Sequence, residues 1–259
     1  MFSSYNEEAT EFSQAPFWFW NDDLSEGEIS RQLDDFQAHG VHAFVIHPRA
    51  GLPEELEWMS DRLLGFYRFA IEEAARRGMW VVLYDEGMYP SGSSAGQVVA
   101  ENPDFACRGL VAVDLDISEP STEVEGVAIS AEGKIELDQA QTLVAQVKRR
   151  HDGHRIAIVD GPIHSTIRGL HFIEKNPERR ADHREVAENH PKAGDLLNPQ
   201  AMECFIQKVY QRFYDEFKEH FGTTIKAIFT DEPSLTGKGR KKKLDARPGT
   251  RDIVPLVSR

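Results

Sequence analysis

The stretch "MWVVLYDEGMYPSG" (Met79–Gly92) carries the strongest signal of fold class, because it begins with an almost uninterrupted apolar run. The run continues to Tyr84 and stops at two carboxylates, Asp85 and Glu86. A strand without polar alternation is typically buried on both faces, as strands in parallel sheets are. The stretch therefore predicts a strand of a parallel sheet that ends in a polar turn.

Amphipathic helices alternate with further strands on the N-terminal side of this stretch. One helix is predicted in Ser60–Gly78, and another begins at Ser25, which forms a capping-box pattern with Glu28. Strands are predicted in Ala15–Asn21 and Val41–Arg49. Strand, helix, strand, helix, strand with short connections is the pattern of consecutive βα units, so we predict an α/β fold.

The pattern changes after the third βα unit, where short strand-like pieces predict an antiparallel β insertion. A helix then begins at Asn198 and Pro199, a good N-cap and first helical residue, and "TIKAIFTDEPS" (Thr224–Ser234) follows as a fourth strand. Four such strands make about half of a (β/α)8 TIM barrel, which typically needs roughly 250 residues. The predicted divisions are 1–106 for the first three βα units, 107–173 for the β-rich insertion, 174–236 for a loop, helix and fourth barrel strand, and 237–259 for a basic tail.

Composition argues against several classes of protein. The chain has 259 residues and a net charge of −13, which argues against nucleic-acid binding. No apolar run has the length of a membrane span, and the N-terminal residues lack the basic and apolar regions of a signal peptide. Cys107 and Cys204 form neither a disulfide framework nor a metal-spacing pattern. We expect a cytoplasmic protein with no nucleic-acid partner and no membrane partner.

The last residues, Gly237–Arg259, break this composition with eight Lys or Arg and two Asp or Glu. Most of this tail lacks helical or strand periodicity, and one interpretation is a solvated basic terminus. The other is a frameshift or misplaced stop near Lys242, which would leave only half of a barrel. A half barrel exposes strand edges and apolar surface, so a homo-oligomer or a missing C-terminal half would cover them.

Polar side chains follow the carboxyl end of every predicted parallel strand. In a parallel barrel these ends converge on one face, where enzymes of this fold build their sites. Ordinary alternatives stay open: Asp231 precedes a proline, which is typical of a turn, and His47 can be a packed core histidine. Arg49 can simply pair with Glu54 or Glu55. The candidate site residues are Asn21 and Trp20 after the first strand, His47 and Arg49 after the second, Tyr84, Asp85, Glu86 and Tyr89 after the third, and Asp231 and Glu232 after the fourth.

The aromatic run of the first strand has two sides. Period-2 alternation puts Trp18 and Trp20 on one side and Phe17 and Phe19 on the other. The tryptophans are either core residues or, if they face the barrel mouth, rings that stack on a sugar.

Carboxylates, aromatics, one histidine and one arginine at a barrel mouth suit glycoside chemistry. Cleavage of a glycosidic bond needs a carboxylic acid and a second carboxylate that acts as base or nucleophile. A carboxyl group beside another carboxylate holds its proton more tightly, so Glu232 next to Asp231 is the predicted acid. Neighbouring strand residues point to opposite faces, so these two are not the predicted pair. Glu86 completes the pair, or the partner lies on strands beyond this chain.

Five segments form long, ordered motifs: "PFWFWNDDLSEGEISRQLDDFQAHGVHAFVIHPRAGLP", "LYDEGMYPSG", "HSTIRGLHF", "GDLLNPQAMECFI" and "IKAIFTDEPS". Together they resemble the bacterial α-L-rhamnosidase-like glycoside hydrolases of family 106, from Ala15 to about Lys242. The resemblance implies a (β/α)8 barrel with accessory β regions that acts on a carbohydrate by inverting, glutamate-based hydrolysis. It implies no required cofactor, although it allows a calcium ion near the sugar. On matching positions it makes Glu232 the catalytic carboxylate and places Glu86, Asp85, His47 and Asn21 in or beside the sugar pocket.

Two other functions stay open. A non-catalytic carbohydrate-binding or remnant protein would keep the aromatics and polar strand ends without a complete site, and it would bind sugar without turnover. A metal-dependent barrel hydrolase would carry a His-x-His pair on its first strand, which "PFWFWND" lacks. His42 and His47 lie five apart on one strand and point to opposite faces, which further weakens the metal hypothesis.

Overall fold

A computed structural model describes residues 12–87, 89–117, 128–129, 134–137, 139–163, 165–167, 170, 190–237 and 247–250. The chain divides into two compact units. The first comprises Met1–Ala95, Gly169–Ile173 and Phe205–Glu232, and the second comprises Gly96–Arg168, Glu174–Cys204 and Pro233–Arg259. Across the described residues, no helix is both long and apolar enough to cross a bilayer.

Helices and strands alternate between Phe17 and Glu101, and strands follow one another between Arg108 and Pro162. A π-helical turn, Gln207–Gln211, joins the fourth helix to the fifth. In chain order the elements are β1 (Phe17–Trp20), α1 (Glu26–Ala38), β2 (Ala43–Pro48), α2 (Asp61–Arg76), β3 (Trp80–Tyr84), α3 (Gln97–Glu101), β4 (Arg108–Asp114), β5 (Ala128–Ile129), β6 (Ile135–Glu136), β7 (Thr142–Lys148), β8 (Arg155–Pro162), α4 (Pro199–Ile206), α5 (Arg212–Phe217), β9 (Ile225–Phe229) and β10 (Arg247–Gly249).

The first unit is built on a four-stranded sheet with the order β1-β2-β3-β9. All three strand pairs are parallel, and Tyr84 at the end of β3 pairs with Phe229 at the end of β9. The carboxyl ends of the four strands therefore lie at the same edge of the sheet. The predicted α/β fold with parallel strands is confirmed.

The helices of the first unit begin at side-chain caps. The Ser25 hydroxyl accepts the N–H of Glu28 at 3.2 Å, and the Ser60 hydroxyl accepts the N–H of Leu63 at 3.2 Å. These contacts satisfy backbone donors that the first turn of a helix leaves open. The cap predicted at Ser25 is confirmed. The Glu28 carboxylate accepts a hydrogen bond from the exposed side chain of Arg31.

The aromatic residues of β1 separate by side, as period-2 alternation predicts. Trp18 and Trp20 are 6% and 2% exposed, and the Trp20 ring meets Tyr67 of α2 with centroids 5.1 Å apart. Both tryptophans thus belong to the core between the sheet and its helices. Phe17 and Phe19 point to the other side of the sheet, where they are 42% and 45% exposed.

The helical segment that begins after Asn198 departs from a regular α-helix. The Asn198 side chain accepts the N–H of Gln200 at 2.9 Å, so the predicted cap is confirmed. The π turn then interrupts the α-helical hydrogen bonds, and it carries Tyr210. Turns of this kind often mark functional positions.

An antiparallel sheet forms the second unit, with the order β10-β4-β8-β7. Strands β4 and β8 pair from Arg108 opposite Pro162 to Asp114 opposite Ile156. The predicted antiparallel insertion is confirmed. The structure adds a strand in the basic tail, because Arg247–Gly249 pairs with β4.

Candidate functional site

Polar side chains from the loop after β3, from the π turn and from the residue after β9 meet around Asp85 at the carboxyl edge of the parallel sheet. Asp85 is fully buried, and its oxygens accept three hydroxyl groups. Oδ1 accepts the Ser91 hydroxyl. Oδ2 accepts the hydroxyl groups of Tyr210 and Thr230, both at 2.8 Å. Burial raises the pKa of Asp85, and the three hydroxyl donors lower it. Asp85 therefore ties β3 to the following loop, to the π turn and to the end of β9.

Glu86, predicted as a catalytic carboxylate, is wrapped by the backbone of the loop that follows β3. Its side chain is fully buried. Oε2 accepts the N–H groups of Ser93 at 2.9 Å and Ser94 at 2.7 Å. Oε1 accepts the N–H groups of Gly87 at 3.0 Å and of Ala95. Burial raises the pKa of Glu86 to about 8, and the four N–H donors act against that rise. Both oxygens are thus engaged inside the protein.

The loop after β3 is also fixed by close packing. Ser94 and Ala95 both have a φ of 50°, in the left-handed region that is costly for residues other than glycine. A Cβ atom on Gly87 would lie 2.9 Å from Cβ of Ala95 and 3.1 Å from Cγ of Trp58. The Trp58 indole N–H also donates to the Ser94 hydroxyl at 3.1 Å. These contacts specify one conformation of the loop.

The same loop is also hydrogen-bonded to Asp231, the residue after Thr230. The Ser91 N–H donates to the Asp231 carbonyl at 2.9 Å, and the Asp231 N–H donates to the Ser91 hydroxyl oxygen at 2.8 Å. Tyr84 of β3 donates its hydroxyl to the Asp231 carboxylate at 2.7 Å. Burial, followed by the Asp231 contact, raises the pKa of Tyr84. Asp231 is thus clamped through both its backbone and its side chain.

Glu232, the predicted acid, comes next and is exposed. Its φ of 39° lies in the left-handed region. Strain of this kind costs about 1–3 kcal/mol and clusters at functional sites. Because β9 ends at Phe229 and Glu232 is left-handed, strand alternation does not govern Asp231 and Glu232. The sequence argument that set these two carboxylates on opposite faces is therefore wrong in its premise.

His47 lies in an aromatic stack on the sheet face that carries Phe17 and Phe19. Its ring stacks on Tyr84 with centroids 3.9 Å apart, and it meets Phe17 and Phe19 edge-on at 5.3 and 5.2 Å. Burial lowers the pKa of His47 to about 4, and the charge of Arg49 adds to this effect. His47 is therefore a neutral, packed residue at physiological pH.

Arg49, at the end of β2, contacts β1. Its N–H donates to the Trp20 carbonyl at 2.9 Å, and its guanidinium lies over the Phe19 ring, 4.5 Å from the centroid. In the part of the chain that the structure describes, no ion pair joins Arg49 to Glu54 or Glu55. The cation therefore rests on the aromatic face of the sheet.

Asn21, Tyr89 and Trp20 make none of the contacts with Asp85 or Asp231 given above. Asn21 is exposed and lines a cleft of about 70 Å³ between the end of β1 and the start of α1. Small-molecule sites usually enclose roughly 300–1,000 Å³, so this cleft is too small for a sugar. Tyr89 is half-buried in the loop after β3, and Trp20 belongs to the core.

The structure brings together Tyr84, Asp85 and Asp231 and links them to Ser91, Thr230 and Tyr210, which are not among the residues predicted for the site. Ser91 and Thr230 stand next to predicted positions, so their neighbourhood was a usable signal. Tyr210 gave no such signal, because it lies 125 residues from Asp85 on a helix that pattern alone describes as amphipathic.

Within the described residues, no three His, Cys, Asp or Glu side chains are grouped so that they could hold a metal ion. Calcium takes six to eight oxygen ligands. The carboxylate oxygens of Asp85 and Glu86 are already used by hydroxyl and N–H donors. These residues do not fit the calcium ion that the family resemblance allows.

The chain matches no protein-family profile, no curated protein and no solved structure.

Proposed function

We propose that this chain is a glycoside hydrolase of the α-L-rhamnosidase-like type, in which Glu232 donates a proton to the leaving oxygen. The proposal includes a (β/α)8 barrel, of which the four parallel strands form a part. Its main support is the placement of Glu232, an exposed carboxyl side chain on a left-handed residue directly after the clamped Asp231. The motifs that resemble family 106 support the same substrate class.

A general acid has to present its proton at a fixed place beside the bond that breaks. The backbone bonds between Ser91 and Asp231 fix the residue before Glu232, so its carboxyl group extends from a rigid point. In the proposed reaction Glu232 protonates the glycosidic oxygen, the bond to the leaving group breaks, and water supplies the new hydroxyl at the anomeric carbon.

The second carboxylate of such a reaction needs an oxygen that can take a proton from water. Both oxygens of Glu86 are engaged by backbone N–H groups, so in this proposal Glu86 positions the loop and exchanges no proton with substrate. We assign the role of base to Asp231, which is half-buried and oriented by the Tyr84 hydroxyl.

Turnover of an aryl α-L-rhamnoside by the full chain tests this assignment. Removal of a general acid or base typically costs about 10²–10⁴-fold in rate, so Glu232→Gln and Asp231→Asn should each lower kcat by that order. Glu26→Gln, on the exposed first turn of α1, is the matched control and should leave kcat unchanged. Wild-type turnover that survives Glu232→Gln would refute the role of Glu232.

A second function, carbohydrate binding without hydrolysis, is favoured by one observation. The engagement of both Glu86 oxygens removes the carboxylate that the sequence paired with Glu232. This function predicts sugar binding without turnover, and binding that Glu232→Gln leaves unchanged.

A further inference from the structure

One tyrosine joins the π turn between α4 and α5 to the carboxyl edge of the parallel sheet. Tyr210 lies in this turn, Gln207–Gln211, directly after Val209, which is fully buried in the core. The Tyr210 ring meets Phe205 edge-on with centroids 5.9 Å apart, and its hydroxyl donates to Asp85 at 2.8 Å. The turn thus keeps its core contact while it extends a hydroxyl group to the strand ends.

Three oxygen atoms meet at the tip of this side chain. The hydroxyl groups of Tyr210 and Thr230 each donate to Oδ2 of Asp85 at 2.8 Å, and their oxygens lie 3.0 Å apart. Burial raises the pKa of Tyr210 to about 12, so its hydroxyl keeps its proton and remains a donor at neutral pH. Hydrogen bonds in such a buried network strengthen one another, so the three groups hold each other in place.

This network reaches the proposed catalytic residues by two routes. Thr230 directly precedes Asp231 in the chain. Through its other oxygen, Asp85 accepts the hydroxyl of Ser91, and Ser91 forms two hydrogen bonds with the backbone of Asp231. Glu232 comes next, with its left-handed φ of 39°. A side chain that fixes both Thr230 and Asp85 therefore restricts the backbone that carries the two carboxylates.

We infer that Tyr210 is a positioning residue, whose hydroxyl holds Thr230 and Asp85 and thereby fixes Asp231 and Glu232 in place. The catalytic consequence rests on the proposed function, which assigns the base to Asp231 and the acid to Glu232. A displacement of about 1 Å in a reacting group can cost about 10²-fold in rate. A hydroxyl group that acts only through its neighbours can therefore control the proposed reaction.

Tyr210→Phe tests this role, because it removes the hydroxyl and keeps the ring against Phe205. With an aryl α-L-rhamnoside, kcat should fall about tenfold while KM changes less than about twofold, because the variant misplaces the reacting groups and keeps the contacts that bind substrate. Tyr214→Phe is the matched control and should leave kcat unchanged. Tyr214 lies one turn further along on α5, is 51% exposed, and its ring meets Phe221 with centroids 5.6 Å apart.

The second hydroxyl of the network gives an independent check. Thr230→Val removes this hydroxyl with little change of shape and should lower kcat, whereas Thr230→Ser keeps a hydroxyl and should retain turnover. In the double variant Tyr210→Phe/Thr230→Val, the loss of kcat should be smaller than the product of the two single losses, because both hydroxyl groups act on one carboxylate. Losses that simply multiply would contradict a shared network.

Amide hydrogen exchange separates this inference from the proposed function. In Tyr210→Phe, exchange should accelerate at Asp231 and Glu232. It should stay as in wild type at Val45, whose N–H donates to the Pro16 carbonyl at 2.9 Å in the same sheet. This result supports the positioning role even if the wild type shows no turnover, which would refute the hydrolase alone.

Three results would overturn the role of Tyr210. The first is unchanged exchange at Asp231 and Glu232, which would leave hydrolysis by Glu232 intact if the wild type is active. The second is an equal acceleration at Val45, because the hydroxyl would then support the fold as a whole. The third is an active wild type whose kcat is the same in Tyr210→Phe.

Discussion

Ser91 and Asp231 are 140 residues apart in the chain and bond to each other twice, once through each backbone N–H. The Ser91 hydroxyl oxygen is the acceptor in one of these bonds, and the same hydroxyl donates to Asp85. A single small side chain therefore joins the loop after β3 to the residues that follow β9.

Ser91→Ala should lower the free energy of unfolding by about 1–3 kcal/mol, because it leaves the Asp231 N–H and one Asp85 oxygen without their partner in a buried place. Urea denaturation measures this loss. Ser234→Ala is the control, since the Ser234 hydroxyl makes one bond, to the Gly237 carbonyl at 2.9 Å, and is only half-buried. Equal losses in the two variants would contradict a special role for Ser91.

Glu86→Gln should destabilise the protein by about 1–3 kcal/mol, because an amide nitrogen would face N–H donors that now bond to the carboxyl oxygens. Amide hydrogen exchange should accelerate at Ser93, Ser94 and Ala95, whose N–H groups point at Glu86. Unchanged exchange at these three amides would show that Glu86 does not hold the loop. Glu26→Gln again serves as the exposed control.

Gly87→Ala should destabilise the protein by about 1–3 kcal/mol, because the added methyl group meets Ala95 at 2.9 Å and the Trp58 ring at 3.1 Å. Gly65→Ala is its matched counterpart. Gly65 lies inside α2 with nothing within 4 Å of the added carbon, so alanine there should stabilise by about 0.5–1 kcal/mol. Thermal unfolding should show a lower midpoint for Gly87→Ala and a higher midpoint for Gly65→Ala. Midpoints that shift in the same direction would contradict this prediction.

His47 should make stability depend on pH between about 4 and 6.5. Burial lowers its pKa to about 4 in the folded protein, so in this range the unfolded chain binds the additional proton. The contribution of His47 is fully present above pH 6.5, and about 2–3 kcal/mol of unfolding free energy is lost as the pH falls through this window. His47→Phe removes the contribution, so urea midpoints of wild type should fall more steeply with acid than those of the variant. Parallel curves would rule out the assignment.

Hydrophobic patterns and helix-capping residues predict much of the fold. The apolar run before Asp85 predicted the parallel sheet, and Ser25 and Asn198 marked helix starts that the structure retains. Alternation in β1 separated tryptophans from phenylalanines, but it could not say which side faces the helices. That choice depends on where Tyr67 packs, and a local pattern carries no such information.

The candidate site was harder to predict, because its main contacts use the backbone or distant residues. Glu86 is held by N–H groups, which every residue except proline possesses, so no side-chain signal distinguishes the loop around it. Tyr210 reaches Asp85 from a π turn that helical periodicity does not predict. The sequence thus predicts which carboxylates lie at the strand ends. It does not predict which hydrogen bonds each of them makes.

The ring of N–H groups around Glu86 also bears on the order in which the chain can fold. Ala95 lies only nine residues after Glu86, so closing that loop costs little chain entropy and can occur as soon as β3 is made. Thr230 lies 145 residues after Asp85, so the fourth strand can join the sheet only after this long intervening segment has been synthesised. We expect β1, β2, β3 and the loop after β3 to form before β9 has been synthesised. The edge of β3 that pairs with β9 would then stay unpaired until β9 joins the sheet.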